Sequence, residues 1–159
     1  MGQLSEFSLP VRLLLKSYRW RRIDPVPWTP LRKPLAQCNV AIVSSAGFVL
    51  PGQEPFSKTP RGDTNFREIP ADADLKALRD THRSGSFDHR GMNQDPNLVF
   101  PLDRLRELAE ARRIGSVNRR HLSFMGSIPA PGRLIRDSAP AAAQLLVEDR
   151  VDAALLVPV

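Results

Sequence analysis

Three short apolar runs separated by helical patterns constrain this chain most. They are Asn39-Val-Ala-Ile-Val-Ser44, His121-Leu-Ser-Phe-Met125 and Ala153-Ala-Leu-Leu-Val157. Each is strand-length and rich in branched or aromatic residues, and turn residues or glycine follow the first two. Between the first and second lies a helical pattern. Pro101 suits its first turn, Leu102, Leu105, Leu108 and Ala109 share one face, and Gly115 suits the position after its end. Between the second and third, Ser138 can cap a helix that has Pro140 in its first turn and Leu145 and Leu146 facing inward. Strand, helix, strand, helix, strand is the pattern of a parallel sheet. The expected fold class is α/β: a partial parallel sheet with flanking helices in Rossmann-like layers, preceded by an N-terminal extended arm. Right-handed crossovers would bring the strand ends at Ser44–Gly47, Ser123–Gly126 and Val159 to one edge. That edge is where ligands collect in open α/β sheets.

The remaining segments are read from their breakers. Residues 1–35 form a basic, proline-rich arm, with a short helix between Leu4 and Tyr18 broken at Pro10. Pro25, Pro27, Pro30 and Pro34 then enforce an extended path. Residues 36–159 form the N-terminal part of a single α/β domain. Residues 48–70 read as a loop, carrying Pro51, Gly52, Pro55, Pro60 and Gly62. Within it, Phe48-Val-Leu-Pro-Gly-Gln-Glu-Pro-Phe56 reads either as a lid or as a proline-stiffened surface loop. Asp72 and Asp74 can cap a short helix running to about Thr81, and residues 82–99 read as irregular. An apolar share of 42% is enough for a real core.

Composition also excludes function classes. No apolar run is long enough to span a bilayer, and Leu13-Leu14-Leu15 is too short for a signal sequence. The expected compartment is the cytoplasm, with no membrane partner. The single Cys38 excludes an internal disulfide and reads as a small core hydrophobe. The net charge of +6 is dispersed among acids, as in Asp103-Arg-Leu-Arg-Glu107. Only Arg19–Arg22, near Tyr18, Trp20 and Trp28, forms a basic-aromatic patch. It reads as a docking surface for an acidic partner subunit or a second copy. No nucleic-acid signature accompanies it.

Several residues carry candidate chemistry. Arg61 and Arg67 flank Asp63 and Asn65, and arginine forks bind carboxylates bidentately. The other reading has Asp63 and Glu68 pairing with these arginines to brace a long loop. His82, Asp88, His89 and Asp95 form the densest His/Asp cluster. Its spacing matches no metal motif, so no metal is expected, and acid/base work or structural hydrogen bonding comes first. Asp88 beside His89 can orient an imidazole that protonates a leaving amine. His121 opens a strand and reads as structural. Ser44, Ser45 and Ser123 belong to no hydrolase pattern, and Gly47 with Gly52 is no dinucleotide fingerprint.

The chain is identified as resembling the selenoprotein B family of glycine, sarcosine and betaine reductases, which is similar to the selenoprotein subunit of D-proline reductase. Collinear strings carry the resemblance across roughly residues 28–159. They are Thr29-Pro-Leu-Arg-Lys-Pro-Leu35, Arg61-Gly-Asp-Thr-Asn-Phe-Arg-Glu-Ile-Pro70, Ser86-Phe-Asp-His89, Val99-Phe-Pro-Leu-Asp-Arg-Leu-Arg-Glu-Leu108, His121-Leu-Ser-Phe-Met-Gly126 and Asp152-Ala-Ala-Leu-Leu-Val-Pro-Val159. The resemblance implies reductive cleavage of a C–N bond in a small amino-acid-like substrate. It implies other reductase subunits or a homo-oligomer as partners, a pyruvoyl group on a partner subunit, and a thiol reductant. It also implies a selenocysteine or cysteine nucleophile directly after the terminal strand, and thus just after Val159. Val151–Val159 reads as a helix-to-strand step and a buried strand with nothing after it. The expectation is therefore a chain cut short before its nucleophile, without redox activity of its own. Ser44, Ser45, Gly47, Ser123, Met125 and Gly126 are then candidate substrate contacts, with Arg61, Asp63, Asn65 and Arg67 for the carboxylate. The rival expectation is a non-catalytic ligand- or partner-binding protein derived from the same fold.

Overall fold

The computed structural model describes residues 5, 7–17, 22–85 and 88–159. Leu4, Tyr18, Arg19, Trp20, Arg21, Ser86 and Phe87 lie outside the described residues, and with them most of the basic-aromatic patch.

The chain divides into two units, residues 1–30 and residues 31–159. In the first, helix α1 spans Leu9–Ser17. Pro10 does not break it. It sits in the first turn, where the missing N–H has no intrahelical partner to lose, and Arg12 N–H donates to Ser8 O at 3.0 Å. Residues 22–30 follow without helix or strand, with Val26 and Trp28 exposed.

The second unit is built on strand β1, Asn39–Ser44. A short strand β2 at Phe48–Val49 follows, then β3 at Phe66–Pro70, β4 at Arg79–Asp80, helix α2 at His89–Gln94 and helix α3 at Leu102–Glu110. Strands β5 at Ser116–Val117 and β6 at Arg120–Phe124, helix α4 at Ala139–Glu148 and strand β7 at Ala153–Val157 complete it. Strand β1 is central. It pairs in parallel with β7 on one side, and on the other with β5 near its start and β6 near its end. Strand β3 adds an antiparallel edge to β6. The fold is α/β, with a partial parallel sheet as the spacing predicts.

The kink between β5 and β6 leaves the Ile42 N–H facing a gap in the ladder. His121 Nδ1 fills it at 3.0 Å. The His121 ring is fully buried and packs edge-on against Phe100 at 6.1 Å. Burial, with repulsion from Arg106, lowers its pKa from 6.5 to about 4, so the ring is neutral and its proton sits on Nε2. The core gathers Val40, Ile42, Ile69, Phe100, Leu102 and Leu105, with Phe48 and Met92 beside them. Cys38 is buried in it, its thiol donating to Pro34 O at 3.4 Å.

The structure corrects six further expectations. Residues 48–70 are not all loop, because Phe66–Pro70 forms β3, and Phe48, Val49 and Phe56 are buried anchors. Asp74 caps only a single 3₁₀ turn, Leu75–Ala77, before β4 begins. Residues 82–99 contain α2 and a 3₁₀ turn at Pro96–Leu98, capped by Asp88 and Asp95 respectively. Arg112, not Gly115, takes the left-handed position after α3, with φ 55°. Gly115 is needed for close approach instead, since a Cβ there would lie 2.5 Å from Gln37 C. Ser138 does not cap α4, because a π-helical turn at Leu134–Ser138 runs into it and Ser138 makes no cap bond. Finally, β7 is not buried: Leu155 is 40% and Leu156 68% exposed, since among the described residues only β1 pairs with this strand.

Candidate active site

Parallel pairing sends the carboxyl ends of β1, β6 and β7 to the same edge. There they are tied through Ser45. Its N–H donates to Val157 O at 3.1 Å, its Oγ accepts Val159 N–H at 2.9 Å, and its carbonyl accepts Gly126 N–H at 2.8 Å. Gly47 N–H donates to Phe124 O at 2.8 Å. A cavity of about 530 Å³ opens at this edge. Val43, Met125, Ile128, Leu134 and Leu156 make its walls apolar, and Ser44 and Ser45 supply hydroxyls. Among the described residues, no side-chain carboxylate lines it.

The two neighbouring serines differ. Ser44 is buried, donates to Val99 O at 2.6 Å and accepts Ala46 N–H at 3.1 Å. Its hydroxyl is committed to the scaffold. Ser45 is half-buried and belongs to the cavity wall. Ser123 lies opposite Ser44 in the parallel register, fully buried.

His82 reaches this edge because β2 and β4 pair antiparallel and carry the following residues back to Gly47. Thr81 Oγ1 donates to Gly47 O at 2.7 Å. Gly47, at φ 67°, leaves room for the His82 backbone, which a Cβ would approach to 3.0 Å. A Cβ on Gly126 would lie 2.6 Å from His82 Nε2, 3.0 Å from Ser45 O and 3.3 Å from Val159 O. The imidazole edge, the Ser45 carbonyl and the end of β7 therefore converge around a single glycine. Ser84 N–H donates to His82 Nδ1 at 3.2 Å, so the neutral ring carries its proton on Nε2, the nitrogen facing Gly126. Burial lowers the His82 pKa, with Asp80 opposing, and the ring is neutral at pH 7.

His89 has the opposite character. Its ring bonds Asp80 through Nδ1 and Ser84 O through Nε2, each at 2.5 Å, and the Asp80 hydrogen bond raises its pKa. The two rings lie 6.2 Å apart. Asp80 orients His89, while Asp88 faces away to cap α2 through Gly91 N–H. Among the described residues, no group of three or more His, Cys, Asp or Glu side chains converges to hold a metal ion.

The Arg61–Arg67 loop separates into two parts. Asp63 is buried, accepts Ser57 N–H and Asn65 N–H at 2.9 Å each, and pairs with Arg67 at 3.6 Å. Arg67 also donates to Glu54 O and lies 4.3 Å above the Phe56 ring. Glu68 pairs with Arg120 instead. Asn65 and Arg61 are exposed, and Arg61 faces a different cavity from that at Ser45. Sequence reasoning missed the segment after β6, from which Ile128, Leu134 and Ala139 wall the first cavity. The signal was present: Pro129, Pro131 and Gly132 mark an irregular crossing just past a strand end.

The sequence profile of the glycine/sarcosine/betaine reductase selenoprotein B family matches residues 15–159. This chain belongs to that family. It is 34% identical over 143 residues to the D-proline reductase subunit gamma of Acetoanaerobium sticklandii, covering 89% of this chain and 57% of the relative. It is 30% identical over 135 residues to the sarcosine reductase complex component B subunit beta of Peptoclostridium acidaminophilum, covering 84% of this chain and 30% of the relative. The chain thus spans little more than half of one relative's length and less than a third of the other's. No solved structure matches it. In this chain, the strings His121–Gly126 and Asp152–Val159 fold into β6 and β7 and end at the Ser45 crevice. No helix among the described residues is long and apolar enough to cross a membrane.

Proposed function

We propose that this chain forms the scaffold half of a reductase selenoprotein subunit that cleaves a C–N bond in a small amino-acid-like substrate. The reading places a selenolate or thiolate directly after Val159. The observation that carries it is the convergence of His82 Nε2, Ser45 and the end of β7 around Gly126. An anionic nucleophile fits this edge, since no side-chain carboxylate among the described residues lines the cavity, and the Ser45 hydroxyl and the His82 N–H stand beside it. When present, such a nucleophile attacks the α-carbon and the amine leaves with the bonding pair. A neighbouring thiol then takes the selenium or sulfur, the carbon fragment takes a proton, and an external thiol reductant reopens the resulting bond. A pyruvoyl group, if a partner subunit carries one, would supply a carbonyl electrophile for substrates that have an N–H.

The chain's own residues do the rest. The apolar wall from Val43, Met125 and Leu156 offers a low-polarity surface to the carbon skeleton of the substrate. His82, neutral with its proton on Nε2, is the candidate hydrogen-bond donor to the departing amine, and His89, its pKa raised by the Asp80 hydrogen bond, is the neighbouring ring that can pass on a proton. Other reductase subunits are the expected partners, and the cytoplasm the expected compartment.

Two measurements test this. The coding DNA after the Val159 codon should read UGA, or a Cys codon, followed in frame by a nearby Cys codon and further α/β sequence. UAA, UAG or a broken frame there would sink the reading and favour a binding protein that uses the cavity without redox chemistry. The extended protein, assembled with its partner subunits, should cleave the C–N bond in a dithiol-dependent way, opening the D-proline ring to a linear amino acid or releasing methylamine from sarcosine or trimethylamine from glycine betaine. His82→Gln should lower that rate about 100-fold or more. Full activity in the variant would remove His82 from the chemistry.

A further inference from the structure

A second cavity, of about 670 Å³, opens between the 59–64 loop and residues 130–136. Its walls carry Thr59, Arg61, Thr64, Gly132, Arg133 and Arg136, and no carboxylate. Arg136 is partly neutralised, because Asp137 grips its guanidinium through two bonds of 2.8 Å. Among the described residues, neither Arg61 nor Arg133 makes an ion pair within bonding distance, although Asp137 lies near enough to feel the Arg133 charge. The loop's own carboxylate, Asp63, is turned inward onto Ser57 N–H, Asn65 N–H and Arg67. The loop geometry is fixed rather than incidental. Gly62, at φ 81°, accepts close contact with Ile128, which a Cβ would approach to 3.1 Å. Thr59 O is held by Gly62 N–H at 3.0 Å and by the Arg83 guanidinium.

Guanidinium groups facing one concavity repel each other unless an anion lies between them, and their planar forks match the oxygens of carboxylate or phosphate. We infer that this cavity is an oxyanion-binding site, held mainly by Arg61 and Arg133 with Arg136 at the rim. It takes one small oxyanion: the carboxylate of an amino-acid-like molecule, or free phosphate. The choice of amino-acid carboxylate rests on the reductase reading above, whereas the site itself does not.

The test is a titration of the chain, ¹⁵N-labelled, at constant ionic strength balanced with chloride. The probes are inorganic phosphate, D-proline and glycine betaine, followed at the amides of Gly62 and Gly132 and at the Arg133 Nε–H. Saturable shifts are expected with at least one probe, about tenfold weaker in the Arg61→Gln/Arg133→Gln variant. Arg104→Gln, which breaks only the exposed pair with Glu107 on α3, should leave them unchanged. Saturation by phosphate alone identifies the ligand as free phosphate, and saturation by the amino acids identifies a carboxylate. Linear shifts that chloride reproduces, or saturation that survives the double variant, overturn the site. A melting curve of the double variant confirms that it is folded, and Arg133→Gln alone should give an intermediate loss. Failure here leaves the coding sequence after Val159 untouched, so the two ideas fall separately.

Discussion

The two ends of the parallel sheet are built on opposite principles. At the amino end, carboxylates, arginines and asparagines are paired with one another. Asp149, 1% exposed, is held by Arg120 at 2.6 Å, Arg119 at 2.6 Å and Asn118 at 3.1 Å, while Arg120 reaches on to Glu68 at 3.0 Å. Asn39, opening β1, bonds Asp152, Asn118 and the Asp149 carbonyl. At the carboxyl end stand three serines, two glycines and a neutral histidine around an apolar cavity. A saturated ion network fixes the register of three strands and leaves nothing available for chemistry. An uncharged edge fixes little, but it lets a new anion or substrate set the local field. The sheet is closed at one end so that it can be open at the other.

The sharpest way to break this contrast is to remove the carboxylate at the closed end. Asp149→Asn leaves Arg120 partly buried without its main counter-charge, and should cost about 3–5 kcal/mol in urea unfolding. Arg119→Ala removes a partner that is 72% exposed and should cost under about 1 kcal/mol. Equal losses would show that the network is not centred on Asp149. The Asp149 pKa is held far below the usual carboxylate range, chiefly by the Arg120 hydrogen bond. Its stabilisation is therefore complete above about pH 4 and fades only as pH falls through the folded value.

The next effect separates the core histidine from that network. His121 titrates near 4 in the folded chain against 6.5 unfolded. The unfolded state therefore binds more protons between those values, and stability should fall by about 3 kcal/mol as pH drops from 6.5 to 4. His121→Leu should remove the His121 share of this slope, leaving the part that His82 contributes, even though it strands the Ile42 N–H. A slope unchanged in that variant would assign the acid sensitivity elsewhere.

The α/β class and the three parallel strands were legible because each run is short, apolar and followed by a breaker or a helix pattern. What was not legible depends on pairing across distance. Nothing local marks Phe66–Pro70 as a strand; it becomes one by adding to the edge of β6. Nor does spacing show that Asp80, not Asp88, orients His89, or that His82 lies under Gly126, since both follow from the β2–β4 pairing. The candidate residues Ser44 and Ser45 look alike in sequence, and only burial separates them. The terminal strand reads as buried because its residues are apolar, yet exposure is decided by how many neighbours pair with it.

At the open end the expected effects are smaller. Gly126→Ala would drive a methyl group toward His82 Nε2 and the Ser45 carbonyl, at 2.6 Å and 3.0 Å. Repacking should cost about 1–3 kcal/mol and move the ring. Its signature is a changed His82 titration in histidine-detected NMR, with His121 unmoved. If both histidines shift, the perturbation is a global loosening and the edge is not a local unit.

The finest test sets the two serines against each other. Ser44→Ala deletes a donor to Val99 O and an acceptor for Ala46 N–H, both buried, and should cost about 1–3 kcal/mol of global stability. Ser45→Ala deletes only the acceptor for Val159 N–H, which can turn to water. Its global cost should be under about 1 kcal/mol, and the loss should appear instead as faster hydrogen exchange at Val159. Adjacent residues with identical side chains would then read out the two halves of the comparison, one hydroxyl spent on holding the sheet and one left for what the crevice binds. If Ser45→Ala destabilises as much as Ser44→Ala, the carboxyl edge is scaffold too, and the contrast between the ends of the sheet fails where it matters most.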